Sequence, residues 1–310
     1  MASIAIKTAG LGKKYRSHFG LSRPPTLDGL DLEIREGEVF GFLGKNGAGK
    51  TTTIKILCGL IRQTKGEAYI FDRNVREKES RKFVGFLPES PYFYEYLTPR
   101  ETLEFYGELD GLSVGERKKR WDYLSETLNL RDIAHDRVQG FSKGMRQRLG
   151  FAVAMAGDPK LLILDEPMSG LDPMGRHMIR DLIQHLREER KTIFFSSHIL
   201  GDVEQVCDRV GMLINGKLHR EGSLSDLLTR ETSRVDVVAK DVTESLFEEL
   251  ERVAHQVRTN DDGHCFSFRN HDEANDAARL IVEQRGTLLE MNPIKESLEE
   301  YFVRQQGDAQ

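Results

Sequence analysis

Apolar residues recur along this chain in two periods, and the switches between them mark out its elements. The runs Val39-Phe40-Gly41-Phe42-Leu43, Leu161-Leu162-Ile163-Leu164 and Ile193-Phe194-Phe195 show no polar alternation. That is the pattern of strands buried on both faces of a parallel sheet. Between and around them, Leu103 with Tyr106, then Trp121, Leu124 and Leu128, then Leu149, Ala152, Val153 and Ala156 recur at helical spacing. Helix starts are signposted. Thr98-Pro99-Arg100-Glu101 supplies the N-cap, N1 proline and N3 glutamate of a capping box, Ser113 with Glu116 repeats it, and Ser142 caps a third helix. Val210 to Ile214 and Lys217 to His219 flank Asn215-Gly216, the residue pair of a two-residue hairpin.

Past about residue 222 the pattern changes. Leu224 to Thr229 predicts a short linking helix, placing a linker at 223–230 between a domain of residues 1–222 and one of 231–310. In the latter, Val235 and Val237 alternate as a strand, and Leu246, Phe247, Leu250 and Val253 mark a helix. Strands at Gln256 to Thr259 and Cys265 to Phe268 flank the turn Asp262-Gly263. A helix from Glu273 to Gln284 and a strand at Thr287 to Glu290 complete a β-α-β-β-α-β order, which suggests a small ferredoxin-like α+β domain. A final amphipathic helix is expected at Ser297 to Arg304, with Leu298, Tyr301 and Phe302 on its apolar side. Dimerisation, regulation and plain packing all remain open as roles for this domain.

Composition narrows the class. The 310 residues are 38% hydrophobic and 31% charged, as in an ordinary globular protein with enough apolar material for a core. The net charge of -5 supplies no basic field for nucleic acid, and Arg117-Lys118-Lys119-Arg120 reads as a solvated helix face. Cys58, Cys207 and Cys265 lie far apart and read as buried free thiols of a reducing compartment. No apolar run reaches a membrane-spanning length of about 18 residues, and no leader pattern opens the chain. A cytoplasmic protein is expected, any membrane link coming through a partner.

The candidate chemistry sits at the ends of the apolar strands. Gly44-Lys45-Asn46-Gly47-Ala48-Gly49-Lys50-Thr51 fits G-x-x-x-x-G-K-[ST], follows a strand and opens a helix through Thr52 to Leu57, as a phosphate-binding P-loop requires. Glycine permits the tight turn that aims backbone N–H groups at phosphate oxygens, and the helix adds its positive end. Lys50 is then placed for the β- and γ-phosphates and Thr51 for Mg²⁺. Leu161 to Leu164 ends in Asp165-Glu166-Pro167. Alone this has a solvated strand end as its competing reading. Paired with a P-loop it supplies a Mg²⁺ carboxylate, Asp165, beside a general base, Glu166. His198 ends the third strand at the same sheet edge, positioned for a γ-phosphate contact.

With Phe141-Ser142-Lys143-Gly144-Met145-Arg146-Gln147-Arg148 ahead of the Asp-Glu strand, and Ser169-Gly170-Leu171-Asp172-Pro173 after it, residues 4 to 222 resemble the ATP-binding cassette (ABC) ATPases. The resemblance implies an α/β P-loop NTPase fold, a mixed sheet core with a helical subdomain at about 90–157. It implies ATP and Mg²⁺ as ligands. It also implies a head-to-tail dimer with a second copy or a homologous ATPase, in which Ser142 and Gly144 meet the nucleotide bound by the partner, and it counts Lys143 and Asp172 among the nucleotide-binding residues. Tyr15 resembles the aromatic that stacks on adenine, although the segment from His18 to Thr26 lengthens its spacing to the P-loop; a surface tyrosine is the competing reading. Glu89 stands where the family has a glutamine touching Mg²⁺ and water, and a carboxylate there accepts hydrogen bonds without donating them. Lys143 and Met145 resemble the signature variants of a branch of exporter ATPases.

Pro91-Tyr92-Phe93-Tyr94-Glu95-Tyr96 packs four aromatics into a loop, as core contacts or as a docking groove for a permease. In the resembled family that surface takes a cytoplasmic helix of a membrane subunit. The resemblance thus implies an ATP hydrolase driving an ABC-2-type exporter, attached to the cytoplasmic face of the membrane through integral permease subunits. Alternatives are an ABC ATPase acting on ribosomes or DNA ends, disfavoured by the single cassette and the absence of sustained heptads, and a nucleotide sensor with little turnover, which Glu89 permits.

Overall fold

The computed structural model describes residues 3–15, 24–227, 232–260 and 263–295. They form two compact units, Met1–Leu224 and Ser225–Gln310. The first unit begins with β1 (Ile4–Lys13) and β2 (Leu27–Arg35), followed by β3 (Val39–Leu43), α1 (Lys50–Leu57), β4 (Lys65–Ile70), β5 (Arg73–Asn74), α2 (Lys78–Arg81) and β6 (Val84–Leu87). Strands β1, β2, β4 and β5 make an antiparallel sheet in the order β2-β1-β4-β5. Its inner face is written in Leu30-Asp31-Leu32-Glu33-Ile34, whose apolar members are buried and whose acidic ones are exposed.

Helices α3 (Pro99–Leu109), α4 (Val114–Thr127) and α5 (Lys143–Ala154) come next. Both capping boxes close as the sequence predicts, with Thr98 and Ser113 accepting from the N3 amides while Glu101 and Glu116 accept from the cap amides. Leu103, Trp121, Leu124 and Leu128 are buried, whereas Tyr106 is only half-buried. The basic run of α4 is divided. Lys118 and Lys119 are exposed, but Arg117 bonds the Leu112 carbonyl and Arg120 bonds that of Met155 and pairs with Asp158, because their long stems fold back onto the subdomain.

The chain then adds β7 (Leu161–Asp165), α6 (Pro173–Glu188), β8 (Thr192–Ser197), α7 (Leu200–Val206), β9 (Arg209–Ile214), β10 (Lys217–Ser223) and α8 (Leu224–Leu227). The main sheet has the order β10-β9-β3-β8-β7-β6, parallel from β9 to β6 and closed by one antiparallel edge strand. Asn215 and Gly216 take φ of 49° and 78° at the β9-β10 turn, as a primed two-residue hairpin demands. Phe194 packs against Phe42 and Phe40 within the core, with ring centroids 5.3 and 6.1 Å away. Because β3, β6, β7 and β8 all run the same way, the P-loop, Glu89, Asp165-Glu166 and His198 leave the sheet at one edge.

The second unit contains β11 (Thr232–Lys240), α9 (Glu244–Val253), β12 (Gln256–Asn260), β13 (Gly263–Phe268), α10 (His271–Glu283) and β14 (Thr287–Lys295). Its antiparallel sheet, β12-β13-β11-β14, is the ferredoxin-like order. Val235, Val237, Phe266 and Phe268 pack there with Leu246, Leu250 and Ile281. Strand β14 runs five residues beyond the expected Glu290 because it pairs with β11 along its length. The expected helix at 297–304, the latter part of the linker and Asp262 lie outside the described residues.

The aromatic loop before α3 corrects one expectation. Phe93 is 4% exposed and belongs to the core, so Tyr92-Phe93-Tyr94 is not a continuous docking groove; Tyr92, Tyr94 and Tyr96 are the exposed members. Phe93→Ala is therefore expected to cost about 3–5 kcal/mol in urea unfolding, as truncation of a buried phenylalanine does. Tyr92→Ala, at a side chain 80% exposed, should stay within about 0.5 kcal/mol. The cysteines also differ in part. All three are free, but only Cys58 is buried; Cys207 and Cys265 are half-buried, and desolvation pushes all three thiols up.

Candidate active site

A cavity of about 490 Å³ opens at that sheet edge, lined by Thr26, Lys45, Asn46, Gly47, Gly49, Lys50, Thr51, Thr52, Glu89, Glu166, Ser169 and His198. Its floor is the P-loop. Gly47 and Gly49 have φ of 84° and 115°, and a Cβ on Gly49 would stand 2.7 Å from Leu27 Cδ2 and 2.8 Å from the Thr26 carbonyl. A side chain at 49 has neither the conformation nor the room. Gly44 and Ala48 are buried, and the Gly44 carbonyl accepts from Lys50 Nζ at 2.6 Å.

Two carboxylates meet this floor differently. Asp165 is buried, and its Oδ1 accepts from Thr51 Oγ1 at 3.3 Å and from Ser196 Oγ at 2.7 Å. Glu166 carries φ of 49°, a left-handed conformation uncommon for a non-glycine residue, which turns its side chain out of the strand direction. The turn is held from both sides. Glu166 N–H donates to Ser196 Oγ at 3.0 Å, and the Glu166 carbonyl accepts from Ser169 N–H at 3.1 Å. Glu166 Oε2 then lies 2.7 Å from His198 Nδ1 and Oε1 lies 3.1 Å from Lys50 Nζ. The Lys50 contact is an ion pair without hydrogen-bond alignment, and the buried Oε1 accepts no hydrogen bond among the described residues.

This arrangement fits the groups the motifs imply. A hydroxyl and a carboxylate in contact, Thr51 and Asp165, are the hard oxygen donors a Mg²⁺ ion takes alongside phosphate, and the glycine floor leaves room for phosphate oxygens. The remaining expected residues lie outside the cavity lining. Tyr15 is about half exposed with Lys13 Nζ 5.0 Å above its ring. Ser142 caps α5, accepting from Met145 N–H, and Asp172 caps α6, accepting from Gly175 N–H at 2.8 Å. The Lys143 ammonium lies over Gly170, and Gly144 approaches the Leu171 side chain.

Ser196 and Gln147 escaped the sequence reading. Ser196 ties Asp165 to the Glu166 backbone, and Gln147 of α5 donates from Nε2 to the Pro167 carbonyl at 2.9 Å, joining the helical subdomain to the acidic strand end. The serine that directly follows the apolar run Ile193-Phe194-Phe195 at the strand's C-terminal end was the available signal for Ser196.

A P-loop, a paired acidic strand end and a histidine around one cavity of a parallel sheet define a nucleoside triphosphate-binding α/β protein. Residues 27–169 match the ABC transporter family model. Over 97% of its length the chain is 37% identical to 97% of BcrA, the bacitracin transport ATP-binding protein of Bacillus licheniformis. It is equally identical, over 97% of its length, to 84% of an uncharacterised ABC transporter ATP-binding protein of Synechocystis. Among solved structures, it resembles the ATP-binding subunit of an ABC transporter (TM-score 0.65, 30% identity, 72% of this chain and 91% of that one). It also resembles a dimeric ATP-binding cassette in a post-hydrolysis state with ADP and Pi (TM-score 0.65, 26% identity, 71% and 98%). The chain belongs to the ABC transporter ATP-binding proteins. It is the ATP-binding subunit of an ABC transporter, and an ATPase.

Proposed function

We propose that this chain powers an ABC-2-type exporter from the cytoplasmic face of the membrane, as a pair of cassettes that closes around ATP and reopens on hydrolysis. The observation that carries the hydrolytic reading is Glu166, a carboxylate turned into the nucleotide cavity and gripped between Lys50 and His198. The Thr51 hydroxyl and Asp165, with Glu89 at the cavity wall, would hold a Mg²⁺ ion, which would supply charge neutralisation on the phosphates. Lys50 and the amides of residues 45 to 52 hold the β- and γ-phosphates. Glu166 accepts a proton from a water whose oxygen bonds to the γ-phosphorus, while the bond to the bridging oxygen breaks and ADP leaves. His198 holds that carboxylate in place and contacts the γ-phosphate. Tyr15 stacks on the adenine. Ser142, Lys143, Gly144 and Asp172 act on the nucleotide of the partner cassette, which is why they lie away from this chain's own cavity.

Export is supported by the variant signature Ser142-Lys143-Gly144-Met145 and by the full-length likeness to a bacitracin transport subunit. No helix among the described residues is long and apolar enough to cross a membrane, so the reading includes separate permease subunits. The exposed tyrosines 92, 94 and 96, with Tyr94 against Phe105 at 5.7 Å, are the surface we assign to them. Tyr92→Ala/Tyr94→Ala should leave ATP binding by the isolated chain intact and reduce recovery of the permease on co-purification, since exposed aromatics carry a large share of interface energy. Undiminished recovery would remove this surface from the coupling path.

A further inference from the structure

At the far end of α1 from the P-loop lies a second cavity, about 220 Å³, with Arg62, Arg76 and Arg81 on its polar side and Ile56, Leu60 and Val75 on its apolar side. The three arginines come from three segments: the loop after α1, the turn after β5 and helix α2. Their convergence is therefore tertiary and not one face of a helix. No carboxylate lines the cavity, and among the described residues none of the three guanidinium groups has a hydrogen bond or ion pair. The more buried arginines of this chain are partnered, Arg180 by Asp202 and Arg209 by Glu38. Gly59 (φ 68°) makes the assembly possible, since a Cβ there would stand 3.0 Å from Arg81 Nε and 3.1 Å from the Val75 carbonyl.

All three arginines are exposed, so water screens their charges; what the cavity offers an anion is three cationic side chains in reach of one pocket. Their planar forks offer more donors than the two oxygens of a carboxylate accept, and match the three terminal oxygens of a phosphate group. No aromatic ring lines the cavity to stack on a base, whereas Leu60, 60% exposed, stands beside the arginines as an apolar contact. We propose that this cavity binds a terminal phosphate group, carried as the monoester headgroup of a phospholipid such as phosphatidic acid or present as free phosphate. The site is separate from the nucleotide cavity and does not depend on the transport reading.

The test keeps the P-loop saturated with a non-hydrolysable ATP analogue and Mg²⁺, so that any response comes from the second cavity. Titration with inorganic phosphate should shift the amide resonances of Gly59, Leu60, Ile61 and Arg76. The chain should sediment with phosphatidylcholine vesicles containing phosphatidic acid and not with phosphatidylcholine alone. Loss of two charge-assisted contacts in Arg76→Gln/Arg81→Gln should weaken either response at least about tenfold. Arg62→Gln, in a loop outside α2, provides a second variant, and unchanged urea midpoints show that both remain folded. Binding to both probes with mutual competition identifies the headgroup as a ligand; a response to inorganic phosphate alone identifies free phosphate. Silence toward both, or a response undiminished in the two variants, overturns the proposal.

Discussion

Glu166→Gln is expected to lower steady-state ATP turnover by about 10²–10⁴-fold, the usual contribution of a positioned general base, while nucleotide binding persists. Glutamine keeps the size of the side chain and a hydrogen-bonding oxygen for His198, but it cannot take a proton from water. The ion pair adds a second consequence. Lys50 and Glu166 are 5% and 7% exposed, and removing the negative partner leaves a buried ammonium uncompensated, at a cost on the order of 3–5 kcal/mol without nucleotide. ATP then supplies the missing negative charge. The variant should unfold at lower urea when nucleotide-free, gain more stability from ATP than the wild type does, and accumulate an ATP-bound dimer. Scintillation-based phosphate release, urea unfolding with and without ATP, and size exclusion read the three effects. Wild-type turnover in Glu166→Gln would reassign the base.

Lys50→Ala should abolish hydrolysis and weaken ATP binding by roughly 10- to 100-fold, because one charge-assisted contact to phosphate contributes about 1.5–3 kcal/mol. In this structure Lys50 Nζ is already oriented toward the phosphate floor by the Gly44 carbonyl, so little rotamer freedom is lost on binding. Its loss also strips Glu166 Oε1 of its only cationic neighbour among the described residues, leaving a buried carboxylate with His198 alone. Direct binding of a fluorescent ATP analogue together with the hydrolysis rate checks both parts. Unchanged affinity would mean that the backbone amides of the P-loop carry the phosphates without the lysine.

The two variants separate roles that the motifs alone merge. Loss of turnover with retained or tightened binding belongs to Glu166, and loss of both belongs to Lys50.

Much of this protein follows from short stretches of sequence. The P-loop, the Asp-Glu strand end, both capping boxes and the Asn215-Gly216 hairpin are legible because each is a local demand: a backbone conformation, a cap or a turn that a few adjacent residues satisfy or fail. The ferredoxin-like order of the second unit followed from the alternation of periods, although the length of β14 did not, since its end is set by pairing with β11. The alternation at Leu30 to Ile34 marks one strand of the antiparallel sheet, but the pairing of β1, β2, β4 and β5 joins segments far apart in the chain and has no local signature. Other features had no local signature. Phe93 and Tyr92 are adjacent aromatics in one loop, and only packing decides that one is core and the other surface. Asp165 faces Ser196 because β7 and β8 pair in that register, and a shift of one residue would point the serine to the other side of the sheet. That register lets one hydroxyl hold Asp165 and the strained Glu166 backbone together, while the parallel run of β3 and β7 brings Lys50 to the same carboxylate. The residue types of the site were fixed by sequence because their chemistry is intrinsic; their pairing was decided by strand register, which depends on residues far apart in the chain.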